Sequence, residues 1–272
     1  MAKILNGKRI SERILGNLKK EIKRKRLRLA LGIVSVGESK VSKIYINQKR
    51  KACEFVDVNF RLFRFPLRIS TKNLEKEVKE IIPRVSGLII QLPLPSHIKS
   101  QDILNVIPLK KDIDCLSDES LGNFYTANLS ILPPTVSGVS RILKEYKIKI
   151  KGKNVVVIGS GRLTGKPLAL WFIQNRATVT ILDKFAKNTS FFTQKADILV
   201  SGVGKPNLIT GKIIKRGAIV IDVGTSFRRG RLVGDADFKS CSRKASYITP
   251  VPGGVGPLTV ACLIKNLVKI NL

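Results

Sequence analysis

The stretch "NVVVIGSGRLTGKPLALWFIQ", residues 154–174, runs from an apolar segment through three glycines into a second apolar segment. It reads as a buried strand over 154–158, a glycine loop, and a helix over 166–174. Two phosphate-binding templates compete for the loop. Aligning the Walker pattern GxxxxGK[ST] on Gly165 and Lys166 puts Ser160 where its first glycine belongs and Pro167 where its hydroxyl belongs. Two fixed positions therefore fail, which argues against a nucleoside-triphosphatase. The dinucleotide fingerprint GxGxxG fits at Gly159 and Gly161, with the third glycine, Gly165, one residue late. Glycines let a backbone approach a pyrophosphate, and the helix N-terminus offers free N–H groups. Asp183 ends the next strand, "TVTILD", at roughly the distance at which an acidic residue meets a ribose hydroxyl. Without a ligand, the same loop would be a tight turn.

The βα rhythm extends in both directions. Ile10, Ile14, Leu18 and Ile22 recur every four residues and predict a helix over 8–25. A strand at 29–37, a helix at 39–55, a strand at 58–65, a helix from 73 and a strand at 87–91 follow. After Pro133 and Pro134 the series restarts with a helix at 136–146, and strands are expected at 178–182, 198–201 and 218–222. "PVPGGVGPLT" (250–259) reads as a rigid loop before a closing helix. The expected fold is α/β, with two α/β domains flanking a cleft. The C-terminal domain is a Rossmann-like parallel sheet, and the last helix packs back on the N-terminal domain.

Composition narrows the chemistry. The chain has 272 residues, a formal net charge of +31, four cysteines and one histidine. The cysteines form no CxxC pair, which argues against structural zinc. A single histidine, His97, excludes a multi-histidine metal site. No segment has the roughly 18 apolar residues of a membrane helix, and the N-terminus lacks a signal-peptide core, so a cytoplasmic protein is expected. The charge implies anionic partners. Its densest run, "KKEIKRKRLR" (19–28), ends a helical pattern and reads as a solvated helix face. The basic residues are spread along the chain with little aromatic interleaving, so nucleic acid is not expected. Tyr45 and Lys49 are four residues apart on a predicted helix and share a face.

"SKIYINQKRKAC" (42–53), "GLIIQLPLP" (87–95), "KDIDC" (111–115), "VGKPNLI" (203–209), "GAIVIDVG" (217–224), "VGDADF" (233–238) and "YITPVPGGVGPLTVA" (247–261) occur in order along the chain. Together they resemble the bifunctional methylenetetrahydrofolate dehydrogenase/methenyltetrahydrofolate cyclohydrolase family. The resemblance implies a folate-binding catalytic domain at 1–134 plus 256–272 and a dinucleotide-binding domain at 135–255. It implies oxidation of 5,10-methylenetetrahydrofolate with NADP and hydrolysis of the methenyl product to 10-formyltetrahydrofolate. Tyr45 and Lys49 match the family's YxxxK pair, with Tyr45 stacking on the substrate and Lys49 activating water or moving a proton. Gln91 would orient Lys49, and Asp114 would accept pterin N–H groups. Ser42, Pro252, Gly253 and Gly254 would border the folate. Gly159, Ser160, Gly161, Arg162, Gly165, Asp183 and Lys184 would hold the cofactor. The resemblance also implies a homodimer and tetrahydrofolate derivatives as partners.

The sequence departs from the family's pattern in places. Cys115 stands where glycine usually follows the pterin-binding aspartate, a position where close approach or positive φ would call for glycine. That departure keeps a monofunctional enzyme as the alternative, with a basic nucleic-acid-binding protein further behind. Asp183 favours NAD, whereas Arg162, Lys184 and Lys187 favour NADP by charge; NADP is the expected cofactor, with NAD as the alternative. Asp235 and Asp237 resemble a carboxylate pair, but the segment is expected to be structural and no metal is expected.

Overall fold

The computed structural model describes residues 1–37, 40–228 and 231–272. Residue 39, the expected start of the second helix, lies outside the described residues. The chain begins with β1 (Lys3–Ile4), α1 (Gly7–Arg24), β2 (Ala30–Val36), α2 (Lys40–Phe55), β3 (Asn59–Phe65), α3 (Thr71–Ile81) and β4 (Gly87–Ile90). Short helices α4 (Ser100–Asn105) and α5 (Asp118–Tyr125) precede α6 (Pro134–Glu145). Then come β5 (Asn154–Ile158), α7 (Gly165–Gln174), β6 (Thr178–Leu182), α8 (Thr189–Thr193), β7 (Ile198–Ser201) and β8 (Ile219–Asp222). The ribbon strands β9 (Ser226–Arg228) and β10 (Arg231–Val233), α9 (Phe238–Ser242), β11 (Tyr247–Ile248) and α10 (Val255–Lys269) complete the chain. Two compact units form, one of residues 12–134 with 260–272, the other of residues 1–11 with 135–259. The divisions fall within α1, at the first residue of α6, and within α10.

The first unit is built on a parallel three-stranded sheet in the order β3-β2-β4. Strand β2 is central and covered on both faces, so "ALGIVSV" is nearly continuous in its apolar character. Leu31, Ile33 and Ile89 pack with Leu18 and Ile22 of α1 and with Leu263, Ile264 and Leu267 of α10. Val34, Leu88 and Ile90 pack with Leu74 and Val78 of α3 and with Ile103 of α4. Ser70 caps α3 by accepting the Asn73 N–H at 3.2 Å. Gly87 admits the closing helix, because a Cβ there would lie 2.7 Å from Leu267 Cδ1. Gly87 is thus required by close approach rather than by conformation.

The second unit is a parallel six-stranded sheet in the order β1-β11-β8-β7-β5-β6. From β5 the chain steps outward to β6, then returns to place β7 on the other side of β5. This reversal is the topological switch point, outside whose carboxyl strand ends α/β sheets bind ligands. The loop after β5 starts at Gly159, whose φ of +99° suits glycine. Gly165 opens α7 so close to this turn that a Cβ there would collide with the Gly159 carbonyl.

Two features differ from the sequence pattern. By their contacts, residues 1–11 group with the six-stranded unit, because β1 pairs with β11 through Lys3–Tyr247 and Ile4–Ile248. The loop expected over 250–259 ends at Gly254, and α10 starts at Val255. Pro257 sits in its first turn, where a missing N–H breaks no helical bond. Gly165→Ala is expected to lower the stability of the second unit by about 1–3 kcal/mol, since helix and loop must separate. Denaturant unfolding measures this, and an unchanged midpoint would mean that the loop yields freely.

Candidate active site

Helix α2 carries Ser42, Tyr45 and Lys49 at i, i+3 and i+7, spacings that return to one helix face. All three are half-buried. The Lys49 ammonium donates to Gln91 Oε1 at 2.9 Å. Gln91 follows β4, and its own N–H continues the ladder to the Val34 carbonyl at 2.8 Å. Its side-chain amide donates to the Leu92 carbonyl at 3.0 Å, which fixes the oxygen toward Lys49. Burial lowers the Lys49 pKa, and the nearby Asp114 charge opposes that shift. Cys53, one turn further along α2, remains a thiol, pushed up to about 12 by burial.

Asp112 and Asp114 divide the work of "KDIDC". Asp112 is buried and accepts the Leu116 and Ser117 N–H groups at 2.9 and 2.8 Å. Just upstream, Lys111 donates to the Ile82 and Val85 carbonyls, both at 2.6 Å. These contacts tie down the turn that presents Asp114. Burial raises the Asp114 pKa to about 6, against the pull of Lys49 and with a push from Asp112. Cys115 is buried with φ +58°, so a side chain occupies a left-handed position of the kind glycine favours. Lys49, Gln91 and Asp114 thus form an electrostatically coupled group in the first unit, beside Tyr45 and Ser42 on α2.

The second unit holds the other sequence-selected residues. Gly159, Ser160 and Arg162 are half-buried and Gly161 is exposed. A Cβ at Gly161 would meet open space, so the backbone of the loop is open to approach there. The exposed Asp183 accepts the Phe185 N–H at 2.9 Å, and the Lys184 ammonium stands 4.9 Å from the Phe185 ring centroid. Pro252, Gly253 and Gly254 form a fixed turn. Gly253 has φ +103° and its carbonyl accepts the Lys8 N–H at 2.9 Å, while a Cβ on Gly254 would lie 2.5 Å from the Pro250 oxygen.

Asp235 and Asp237 do not act as a pair. Asp237 caps α9, whereas Asp235 is fully buried and hydrogen-bonded to residues 201–205. Sequence reasoning missed Asp112 and Asp222 as anchors. The signal for Asp222 lay in its place at the end of an apolar strand. A carboxylate buried there needs hydrogen-bond donors around it, and Gly224, Asp235 and Ala236 supply them.

Two family models cover most of the chain. The tetrahydrofolate dehydrogenase/cyclohydrolase catalytic domain matches residues 5–114, and the NAD(P)-binding domain of the same family matches residues 133–272. The bifunctional protein FolD of Nautilia profundicola is 44% identical over 272 residues, covering 98% of this chain and 96% of the relative. The crystal structure of the bifunctional FolD dehydrogenase/cyclohydrolase from Campylobacter jejuni superposes with a TM-score of 0.94 at 36% identity, covering 99% and 98% of the two chains. The FolD enzyme of Trypanosoma brucei, complexed with NADP cofactor and inhibitor, gives 0.94 at 35% identity, covering 99% and 97%. With both family models matched in order, and relatives of this identity along nearly its whole length, the chain belongs to the tetrahydrofolate dehydrogenase/cyclohydrolase family.

Proposed function

We infer that the chain oxidises 5,10-methylenetetrahydrofolate to the 5,10-methenyl cation with NADP⁺ and then hydrolyses that cation to 10-formyltetrahydrofolate. The observation that carries this reading is the half-buried Lys49 amine, hydrogen-bonded to Gln91 and coupled to Asp114, in a chain of this family. NADP⁺, when bound, accepts the hydride that leaves the methylene carbon. Gly159, Ser160, Gly161 and Gly165 would hold its pyrophosphate, with Arg162 and Lys184 on the 2′-phosphate. Asp183 keeps an oxygen for a ribose hydroxyl and so favours NAD, whereas Arg162 and Lys184 favour the phosphorylated cofactor by charge.

The remaining steps fall to the first unit's side chains. Asp114 accepts N–H groups of the pterin, and Tyr45 stacks on the aminobenzoyl ring. By the family resemblance, Ser42, Pro252, Gly253 and Gly254 would border the folate. Water adds to the methenyl carbon, and its proton passes to the neutral form of Lys49. That form is favoured by burial and by the adjacent cationic carbon. The adduct's hydroxyl then gives up its proton as the carbonyl forms, the C–N5 bond breaks, N5 takes up a proton, and the formyl group stays on N10. Gln91 holds the Lys49 amine in one direction throughout. The positive charge of the chain raises the local concentration of the anionic folate and cofactor. The same reading makes the protein a homodimer joined through the dinucleotide unit, as the family resemblance implies, and the N-terminal sequence fits a cytoplasmic place.

Lys49→Met should reduce hydrolysis of supplied methenyltetrahydrofolate by about 10²-fold or more, while folate binding stays within a few-fold of wild type. Loss of methenyl absorbance follows the reaction, and an unchanged rate would remove Lys49 from the mechanism. A second expectation concerns pH. The Asp114 carboxylate is the accepting form, and it is lost as pH falls through about 6. The kcat/KM for the folate should therefore fall below that pH, and Asp114→Asn should abolish this acid limb at a lower overall rate.

A further inference from the structure

At the switch point, the loop that follows β7 lies beside the glycine loop after β5. The two loops touch. Gly202 donates its N–H to the Ile158 carbonyl at 3.1 Å, and a Cβ on Gly202 would collide with Thr164 Cγ2. A Cβ on Gly159 would lie 3.2 Å from Val203 Cγ2. Any displacement of residues 202–205 is therefore felt by the glycine loop.

What fixes residues 202–205 is a buried carboxylate. Asp235 Oδ2 accepts the Ser201 hydroxyl at 2.7 Å and the Val203 N–H at 2.8 Å. Its Oδ1 accepts the Lys205 N–H at 2.7 Å. Asp235 is 0% exposed. A second buried carboxylate, Asp222 at the end of β8, holds it in turn, accepting the Asp235 and Ala236 N–H groups at 3.1 and 2.8 Å. Asp222 also accepts the Gly224 N–H at 3.0 Å. The glycines leave the space this arrangement needs, since a Cβ on Gly224 would collide with the Asp235 carboxylate and one on Gly234 with that of Asp222. The network thus joins the carboxyl ends of β7 and β8 to the segment after β10.

Direction along the crevice follows from the fold. The acidic residue at the end of β6 marks the adenosine side of a dinucleotide, and the glycine loop marks the pyrophosphate. The nicotinamide half then lies on the β7 side. We propose that Asp235 is a positioning residue for the dehydrogenase step, shaping the 202–205 loop that receives the nicotinamide half of the cofactor. This rests on the function inferred above. A carboxylate suits the task because its two oxygens accept from three donors at once. An asparagine of the same shape offers one acceptor oxygen and turns an NH₂ group toward the remaining donors.

The test compares wild type with Asp235→Asn and Ser201→Ala. Calorimetry measures the Kd for NADP⁺, and separate assays measure hydride transfer and hydrolysis of supplied methenyltetrahydrofolate. Asp235→Asn should weaken NADP⁺ binding at least about tenfold and lower hydride transfer, while hydrolysis stays within about twofold. Ser201→Ala leaves the carboxylate in place and should weaken NADP⁺ about threefold, also without loss of hydrolysis. Unchanged NADP⁺ affinity in a folded variant, or a parallel fall of both activities, would overturn the proposal. If Asp235→Asn does not fold, Ser201→Ala decides by the same criteria. A wild type lacking both activities would instead refute the underlying function.

Discussion

A lysine amine taken out of water must find a partner or give up its proton, and Lys49 is held between those outcomes. Gln91 supplies a neutral acceptor at 2.9 Å, which orients the amine without adding charge. Asp114 supplies charge and favours the ammonium, while burial favours the amine. Asp114 bears a matching electrostatic penalty, with its own pKa raised to about 6. Two groups with displaced pKa values in one place provide acid–base chemistry near neutrality. Much of the first unit serves to set these three side chains. Central β2 aligns β4, from whose end Gln91 follows, and Asp112 and Lys111 pin the turn that carries Asp114.

In both units, residues proposed for the chemistry follow the carboxyl ends of parallel strands. Gln91 follows β4, Gly159 follows β5, and residues 202–205 follow β7. At such ends the backbone turns from sheet toward helix, leaving unpaired groups and glycine turns that a ligand can approach. The second unit uses buried carboxylates differently from the first. Asp222 and Asp235 have their oxygens occupied by backbone N–H groups and a hydroxyl, so they act as fixed anchors. The same residue type is an anchor where protein donors surround it, and in the proposed function it is a substrate acceptor at Asp114.

Much of this is legible in the sequence, for identifiable reasons. The strands β5, β7 and β8 announce themselves as short apolar runs, because strands covered on both faces carry no alternation to obscure them, and the edge strand β6 shows itself by its β-branched Thr178–Ile181. The Tyr45 and Lys49 pair is legible through helical spacing, and Gln91 through the end of an apolar strand. Strand β1 is not, because two residues carry no period and its partner Tyr247–Ile248 lies near the other end of the chain. The start of α10 is hidden by Pro252, Gly253, Gly254, Gly256 and Pro257, which read as loop until Pro257 is seen in the first helical turn. Asp235 is legible as chemically notable but not as an anchor, since its backbone donors at Val203 and Lys205 lie 32 and 30 residues away. Cys115 is marked by its place after Asp114, and the positive φ found there gives that departure a physical meaning.

Burial and Asp114 together set the ionisation of Lys49, and the proposed chemistry depends on that balance. Side-chain nitrogen NMR of the lysines, titrated with pH, reads it directly, with the Lys49 signal assigned by its loss in a Lys49 variant. The expected result is an amine that titrates below the surface lysines and moves lower still in Asp114→Asn, where the charge that favours the ammonium is gone. A Lys49 signal that titrates with the surface lysines, and does not respond to the loss of Asp114, would contradict it.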